Sequence, residues 1–123
     1  MTIREAINKA RKVVPNNKFN DEELIEWLDR LDRQIKLEII DIRCGARDVV
    51  FDGYDADTDE SKQLLVPNPY DEVYVLYLKA QMHLYMNEFA RYNSATESFN
   101  DMLGQFRNYY NRTHDSKNIR LKI

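Results

Sequence analysis

The chain has 123 residues, of which 43% are hydrophobic, and its 21 acidic and 18 basic side chains give a net charge of -3 at neutral pH. This length suits a single domain with its own core, and the nearly balanced charge disfavours a protein that holds nucleic acid by neutralising phosphates. Because strands need frequent turn residues, a chain with only 3 Gly and 3 Pro favours helices over sheets.

The same composition limits the compartment and the covalent chemistry. Cys44 is the only cysteine, so an internal disulfide and a cysteine-based zinc site are excluded. No apolar run approaches the roughly 20 residues of a membrane span, and no signal-peptide pattern precedes Thr2. The sequence therefore predicts a cytoplasmic protein that does not bind membranes.

The first two predicted helices begin at capping signals. Thr2 followed by Glu5 predicts a capping box for a helix that ends before Pro15. Asn20 is the predicted cap of a second, longer helix over residues 21 to about 44. Its apolar stripe predicts one buried face, and the residues predicted to cover the solvent face are Asp29, Arg30, Asp32, Arg33 and Lys36.

A long irregular segment, residues 46–68, follows the second helix and is called the arm here. Its Asp52-Gly53 pair predicts a short β-hairpin, because this dipeptide supports a tight primed turn. Loops of this length inside compact domains are usually functional or disordered. The arm is therefore predicted to pair with another molecule, such as a neighbouring copy, and its candidate contact residues are Val49, Val50, Phe51 and Tyr54.

The third and fourth predicted helices form an antiparallel hairpin. Asn68 is the predicted cap of the third helix and Pro69 its first residue. This helix is apolar on two sides, so we expect it to be central or to contact a partner. The chain reverses near residues 86–88, and the fourth helix runs to about Arg112. The predicted fold is a single all-α domain over residues 1–123.

Tyrosines are concentrated in this C-terminal hairpin. The chain has 8 Tyr, and those of the hairpin cannot all be buried between two helices. Because a tyrosine hydroxyl needs water or a partner, tyrosine-rich faces favour interfaces. Tyr109 and Tyr110 are therefore predicted to contact another subunit.

Residues 113–123 are predicted to form an extended tail. Ile119, Leu121 and Ile123 alternate with Arg120 and Lys122, which is a strand pattern without an evident partner in a helical protein. Two interpretations stay open, a strand added to another chain and a frayed terminus.

Signatures of catalysis, cofactor binding or metal binding are not found in the sequence. His83 and His114 are separated by a whole helix, and neither has a carboxylate at the i±4 positions. The alternating aspartates over residues 55–59 resemble half of a calcium loop, but the required Gly and Glu at its sixth and twelfth positions are absent. Phosphate-loop and nucleophile-elbow motifs are also absent. The sequence predicts a non-enzymatic protein without cofactor or metal.

Several stretches together form a familiar pattern. They are residues 65–74 (LVPNPYDEVY), 77–81 (YLKAQ), 92–93 with 99–100, 109–114 (YYNRTH), and the opening short helix followed by residues 21–28 (DEELIEWL). In these stretches the chain resembles the head–tail connector, or adaptor, proteins encoded beside the capsid genes of tailed bacteriophages and prophages. The resemblance covers most of the chain, and it lies in helix faces and turn signals rather than in catalytic motifs.

The resemblance implies a structural virion protein that is made in the host cytoplasm and joins head to tail. Such a protomer docks under the portal vertex, assembles into a ring, typically a dodecamer, and contacts the portal protein and tail or head-completion proteins. The candidates for its reaching segments are residues 49–54 and 119–123. Mild net acidity agrees with this role, because a channel through which DNA slides should not grip phosphates.

Two other functions remain as alternatives. The chain also resembles a lone tetratricopeptide-type helical unit, which would make it a monomeric or dimeric adaptor that regulates a host or phage protein. A small nucleic-acid-binding regulator is the third reading, and the charge balance disfavours it.

Overall fold

The computed structural model describes residues 1–115, which fold into four α-helices. These are α1 (Ile3–Val13), α2 (Asp21–Ile35), α3 (Glu72–Tyr85) and α4 (Phe89–Thr113), with a π-helical turn at Lys36–Ile40 and a 3-10 turn at Ala46–Asp48. Within this described part Thr2 and Gln63 form an isolated antiparallel bridge, and none of the described elements is a β-strand. The predicted all-α class is confirmed.

Side-chain caps start the first two helices. The Thr2 hydroxyl accepts a hydrogen bond from the Glu5 backbone N–H at 3.1 Å, and the Glu5 carboxylate accepts one from the Thr2 N–H at 3.1 Å. Asn20 Oδ1 accepts a bond from the Glu23 N–H at 2.9 Å. Each bond satisfies a donor that the helix itself leaves free, and both predicted caps are confirmed.

The second helix ends earlier than predicted. The α-helical part stops at Ile35, and a π-helical turn continues it, in which the Asp41 N–H donates to the Lys36 carbonyl at 2.8 Å. The wider turn leaves the neighbouring Ile39 and Ile40 both in the core. The regular helix therefore does not continue to residue 44 as predicted.

The arm lies back against the helices instead of projecting as a β-hairpin. Gly53 does turn the chain at φ +86°, but residues 49–54 pair with no other strand in the described structure. The Phe51 ring packs edge-on against Tyr54, with 5.1 Å between centroids, and Tyr54 is buried. The hairpin prediction is wrong, because an isolated two-stranded ribbon is marginal in water while packing on a helix buries the same apolar groups.

The second half of the arm completes the start of α1. The Ile3 N–H donates to the Lys62 carbonyl at 3.1 Å, and the Arg4 N–H donates to the Glu60 carbonyl at 3.0 Å. These are backbone donors of the first helical turn, which have no partner within the helix. Val66, a few residues further, is fully buried. The arm is thus a part of the core.

The third helix begins three residues later than predicted. The Asn68–Pro69 peptide bond is cis, and the Tyr70 N–H donates to the Pro67 carbonyl at 2.9 Å. A turn therefore occupies the residues predicted as the first helical turn, and α3 starts at Glu72. Asn68 is not its cap.

The third helix is the centre of the protomer. It packs against α1, α2 and α4, and its buried residues are Val73, Tyr74, Val75, Leu78, Ala80, Met82 and His83. After a turn in which Asn87 has φ +60°, α4 returns along α3. The prediction of a C-terminal helical hairpin with a central third helix is confirmed. None of the helices within residues 1–115 has the length and apolar character to cross a membrane.

The central position of α3 predicts a contrast between two leucines. Leu78 is fully buried on α3, whereas Leu37 is 63% exposed. We expect Leu78→Ala to lower the free energy of unfolding by about 2–5 kcal/mol through lost burial and a cavity. The control, Leu37→Ala, should change it by about 0.5 kcal/mol or less. Chemical denaturation measures both, and equal losses would contradict this placement of α3.

Candidate protein-binding surfaces

The candidate contact residues of the arm differ in exposure. Val50 is exposed, Val49 and Phe51 are half-buried, and Tyr54 is buried. The Arg33 guanidinium lies 5.2 Å from the centroid of the Phe51 ring and covers part of it. Of the four, Val50 is therefore the most available to a partner in this conformation, and contact with another molecule stays a prediction for all of them.

Tyr54 belongs to a buried cluster around Asp32 of α2. The Tyr54 hydroxyl donates to Asp32 Oδ2 at 2.5 Å, and the Tyr74 hydroxyl of α3 donates to Oδ1 at 2.6 Å. The backbone N–H of Leu65 donates to Oδ2 at 3.1 Å. One carboxylate thus joins α2, the arm and α3. We call these groups the Asp32 cluster.

The solvent-facing position predicted for Asp32 is wrong, since its exposed fraction is 0%. Asp32 follows Leu28 by four residues and precedes Ile35 by three. Residues at these spacings share one helix face, and Leu28 and Ile35 are both in the core. This spacing is the signal in the sequence that places Asp32 on the buried side.

Burial controls the proton affinity of the cluster. Desolvation raises the pKa of Asp32 to about 6, although the hydrogen bonds from Tyr54, Tyr74 and Leu65 oppose this rise. Burial and the neighbouring carboxylate raise the pKa of both tyrosines. At neutral pH the tyrosines therefore keep their protons and donate them in hydrogen bonds to the carboxylate. Asp32 is thus closed off from solvent, and its carboxylate links α2, the arm and α3 through these hydrogen bonds.

The predicted contact residues of α4 also pack within the protomer. Tyr109 is half-buried, with its ring centroid 5.2 Å from that of Tyr70. Tyr110 is buried, lies 5.7 Å from Phe106, and stacks on His114 at 3.8 Å. Tyr109 thus packs against Tyr70, just before α3, and Tyr110 packs against residues at its own end of the chain. The remaining candidates, Ile119, Leu121 and Ile123, lie outside the described residues.

Exposed large apolar side chains fall into two sets, and of their members the sequence predicts Val50 as a contact residue. The turn-end set is Val13, Tyr85 and Phe89, and the α2-end set is Leu37, Ile42 and Val50. All six are between 50% and 70% exposed. The first set surrounds the end of α1 and the turn between α3 and α4, whereas the second follows the end of α2. The hydrophobicity pattern along one helix does not predict such sets, because each set combines residues from different elements of the fold.

An aromatic stack supports the turn-end set. The Tyr85 ring is parallel to Trp27 of α2, with 5.5 Å between centroids and 6° between planes. Phe19, from the loop between α1 and α2, lies 5.1 Å from Trp27. Tyr85 is thus held in place on one face while more than half of its surface stays open. Rigid, partly exposed aromatic rings are typical of protein interfaces.

A polar cleft of about 250 Å³ lies at the same end of the molecule. It is lined by Val13, Lys79, His83, Arg91 and Ser94. His83 Nδ1 is 3.0 Å from Glu88 Oε1, and the Arg91 guanidinium donates to Glu88 Oε2 at 3.2 Å. Glu88 follows His83 by five residues, and the turn brings the two together. A search restricted to i±4 carboxylates could not find this pair.

Comparison with known proteins does not identify the site. No protein-family model matches the chain, and no curated protein or solved structure is similar to it. In the described part of the chain, no three or more His, Cys, Asp or Glu side chains are grouped to hold a metal ion. Function is therefore argued from the two exposed sets and the cleft.

The Asp32 cluster predicts an unusual pH dependence of stability. The folded pKa of about 6 exceeds the value of about 3.9 for an unfolded aspartate, so the folded state binds this proton more tightly. The stabilisation is complete below about pH 4 and is lost as the pH rises through about 6. Relative to Asp32→Asn, the free energy of unfolding should fall by about 3 kcal/mol from pH 4 to pH 7, at ~1.36 kcal/mol per pH unit.

Chemical denaturation at a series of pH values measures this difference. Carboxylates elsewhere titrate in both proteins, so their contributions to the free energy of unfolding cancel in the difference. Glu26→Gln removes an exposed carboxylate from the same helix and serves as the control for loss of charge alone. Parallel profiles for the wild type and Asp32→Asn would contradict the raised pKa.

Proposed function

We propose that this chain is a structural virion protein, a head–tail connector that binds the portal vertex and forms a ring around the DNA channel. It would be made in the host cytoplasm and would act without catalysis or cofactor. The observation that carries the proposal is the division of the exposed apolar side chains into the turn-end and α2-end sets. A protein held between two other components needs two such surfaces.

The distance between the two sets supports this role. The helix α4 starts beside the turn-end set, and its 25 residues span roughly 37 Å at ~1.5 Å per residue. The π-helical turn, which contains Leu37 of the α2-end set, packs against α4. Asp41, which follows this turn, lies near Tyr110 at the far end of α4, since burial and then the charge of Asp41 raise the pKa of Tyr110. A single partner of ordinary size covers one patch, of about 800 Å² per side. Two separated patches therefore favour a connector over an adaptor with one partner.

The rigidity of the protomer also suits assembly. The Asp32 cluster and the bonds to α1 hold the arm in place before any partner is bound. Association then costs less ordering entropy than the folding of a free loop would. The net charge of -3 agrees with a channel that does not grip DNA.

Binding to a purified portal protein tests the proposal. Mass photometry of the full chain with the portal should show portal particles that carry several copies. Phe89→Asp should weaken this binding about tenfold or more, since it places a charge in an apolar contact. Asn93→Asp, one helical turn away on α4 and also exposed, is the control and should bind as the wild type. A chain that never binds the portal, at any concentration, would contradict the connector role and favour the adaptor alternative.

The predicted tail gives a second test. Deletion of residues 116–123 leaves every described helix and the bond from the Cys44 N–H to the Asp115 carbonyl. If the tail adds a strand to a partner, assembly on the portal should fail while the unfolding midpoint stays unchanged. Thermal unfolding and mass photometry measure the two effects. A marked loss of thermal stability would instead show that the tail contributes to the core of its own protomer.

A further inference from the structure

The cleft beside the turn-end set has the chemistry of an anion site. Lys79, Arg91 and Ser94 contribute donors to its wall. The Glu88 carboxylate pairs with Arg91, so among the described residues the charge of Lys79 is the one left in excess. This is notable in a chain with a net charge of -3. A concave surface lined by one sign of charge attracts groups of the opposite sign.

The cleft is a built feature rather than a chance group of surface cations. Lys79 and His83 are four residues apart on α3, and Arg91 and Ser94 are three apart on α4, so each pair shares one helix face. Glu88 holds Arg91 and His83 Nδ1 in place. His83 is only 4% exposed.

A surface of opposite charge lies at the other end of α1. This acidic loop, residues 52–60, carries the exposed side chains Asp52, Asp55, Asp57, Asp59 and Glu60. Asp55 and Ala56 line a shallow depression of about 140 Å³ together with Glu22 and Glu26. Arg4 neutralises Glu60, whereas Asp57 has no cationic partner in the described part of the chain. The loop therefore keeps an excess of negative charge.

In the described structure no carboxylate of the acidic loop pairs with the cations of the cleft in its own protomer. Both ends of the loop are held by other elements. The Tyr54 N–H donates to Asp29 Oδ1 of α2 at 2.9 Å, and backbone bonds to Ile3 and Arg4 tie the other end to the first turn of α1, whereas the cleft lies at Val13, the last residue of α1. Held in this conformation, the loop meets a cleft only on a second copy.

We propose that the acidic loop of one copy docks in the basic cleft of the next. Asp55 and Asp57 provide carboxylates at the tip of the loop, and Lys79, Arg91 and Ser94 provide the complementary donors. Because the two surfaces differ, the contact is heterologous and repeats from copy to copy, and it closes into a ring when the rotation allows. The inference deepens the proposed function and rests on it, since it names the contact that would build the ring.

Paramagnetic relaxation between copies of the full chain tests this contact, even when it is weak. A spin label is attached at Ala56→Cys, an exposed site in the acidic loop, in a Cys44→Ser background. Copies that carry ¹⁵N but no spin label are mixed with the spin-labelled copies. We expect enhanced relaxation at the amides of Lys79, Arg91 and Ser94, and a decrease of the effect as the salt concentration rises. Absence of enhancement at these amides at low salt would overturn the proposal.

Charge exchange makes the test specific. Lys79→Glu in the observed copy, or Asp57→Lys in the labelled copy, should reduce the enhancement severalfold, and the two variants together should restore it. Arg107→Glu changes the net charge by the same amount on α4 but lies 16 residues from Arg91, roughly 24 Å along the helix, and should have no effect. A reduction by Arg107→Glu as large as that by Lys79→Glu would indicate general charge attraction and would overturn the contact.

The outcomes separate this inference from the proposed function. Portal binding without relaxation enhancement would overturn the loop-to-cleft contact and leave the connector role standing. Enhancement in a chain that never binds the portal would support the contact between copies and contradict the connector role.

Discussion

The buried carboxylate of Asp32 is the interaction on which the rest of the structure depends. A carboxylate without exposure to water is costly unless donors surround it. Here Tyr54, Tyr74 and the Leu65 N–H supply these donors from the arm and from α3. Loss of any one of them would leave a buried charge with too few partners, which typically costs more than the bond itself contributes. The long arm is held in a single conformation for this reason.

The packing of the arm also determines where apolar side chains stay exposed. With the arm packed against α2 and α1, and with α3 surrounded by the other helices, the sides of the protomer are closed by their own contacts. Large apolar side chains stay open where helices end, at Tyr85 and Phe89 on one side and at Leu37 and Ile42 on the other. The ends rather than the flanks therefore carry the exposed apolar side chains.

How far the sequence predicts this structure depends on the range of the interactions. The caps of α1 and α2 are predicted because Thr2 and Asn20 contact residues only three positions away. The burial of Asp32 depends on Tyr54 and Tyr74, which are 22 and 42 residues distant. Local patterns carry no direct record of such contacts. The spacing of Asp32 from Leu28 and Ile35 indicates the buried face, whereas its charge favours the exposed face, and the tyrosines that satisfy the buried carboxylate leave no local signal.

The same limit explains the remaining differences. The Asp52-Gly53 pair correctly predicts a turn, since Gly53 adopts φ +86°. The flanking residues, however, pack against α2, and the local sequence does not predict this contact. The residue types of the sequence predict tyrosines at the candidate interface. In the structure, however, Tyr54 and Tyr110 are buried within the protomer. The turn-end set and the cleft combine α1, α3 and α4, so they become visible only once the helices are assembled.

The contacts at the start of α1 bear on the order of events during synthesis. The helix α1 is made first, but its leading amides are satisfied by carbonyl groups of residues 60 and 62, and it packs most extensively against α3. Its partners leave the ribosome only after the arm and α3 have been translated. An isolated helix of 11 residues is marginal in water, so α1 must wait in a largely unstructured state until then. The N-terminal segment is thus among the first parts to appear and among the last to become stable, and during that interval its apolar face depends on the cell for protection from aggregation.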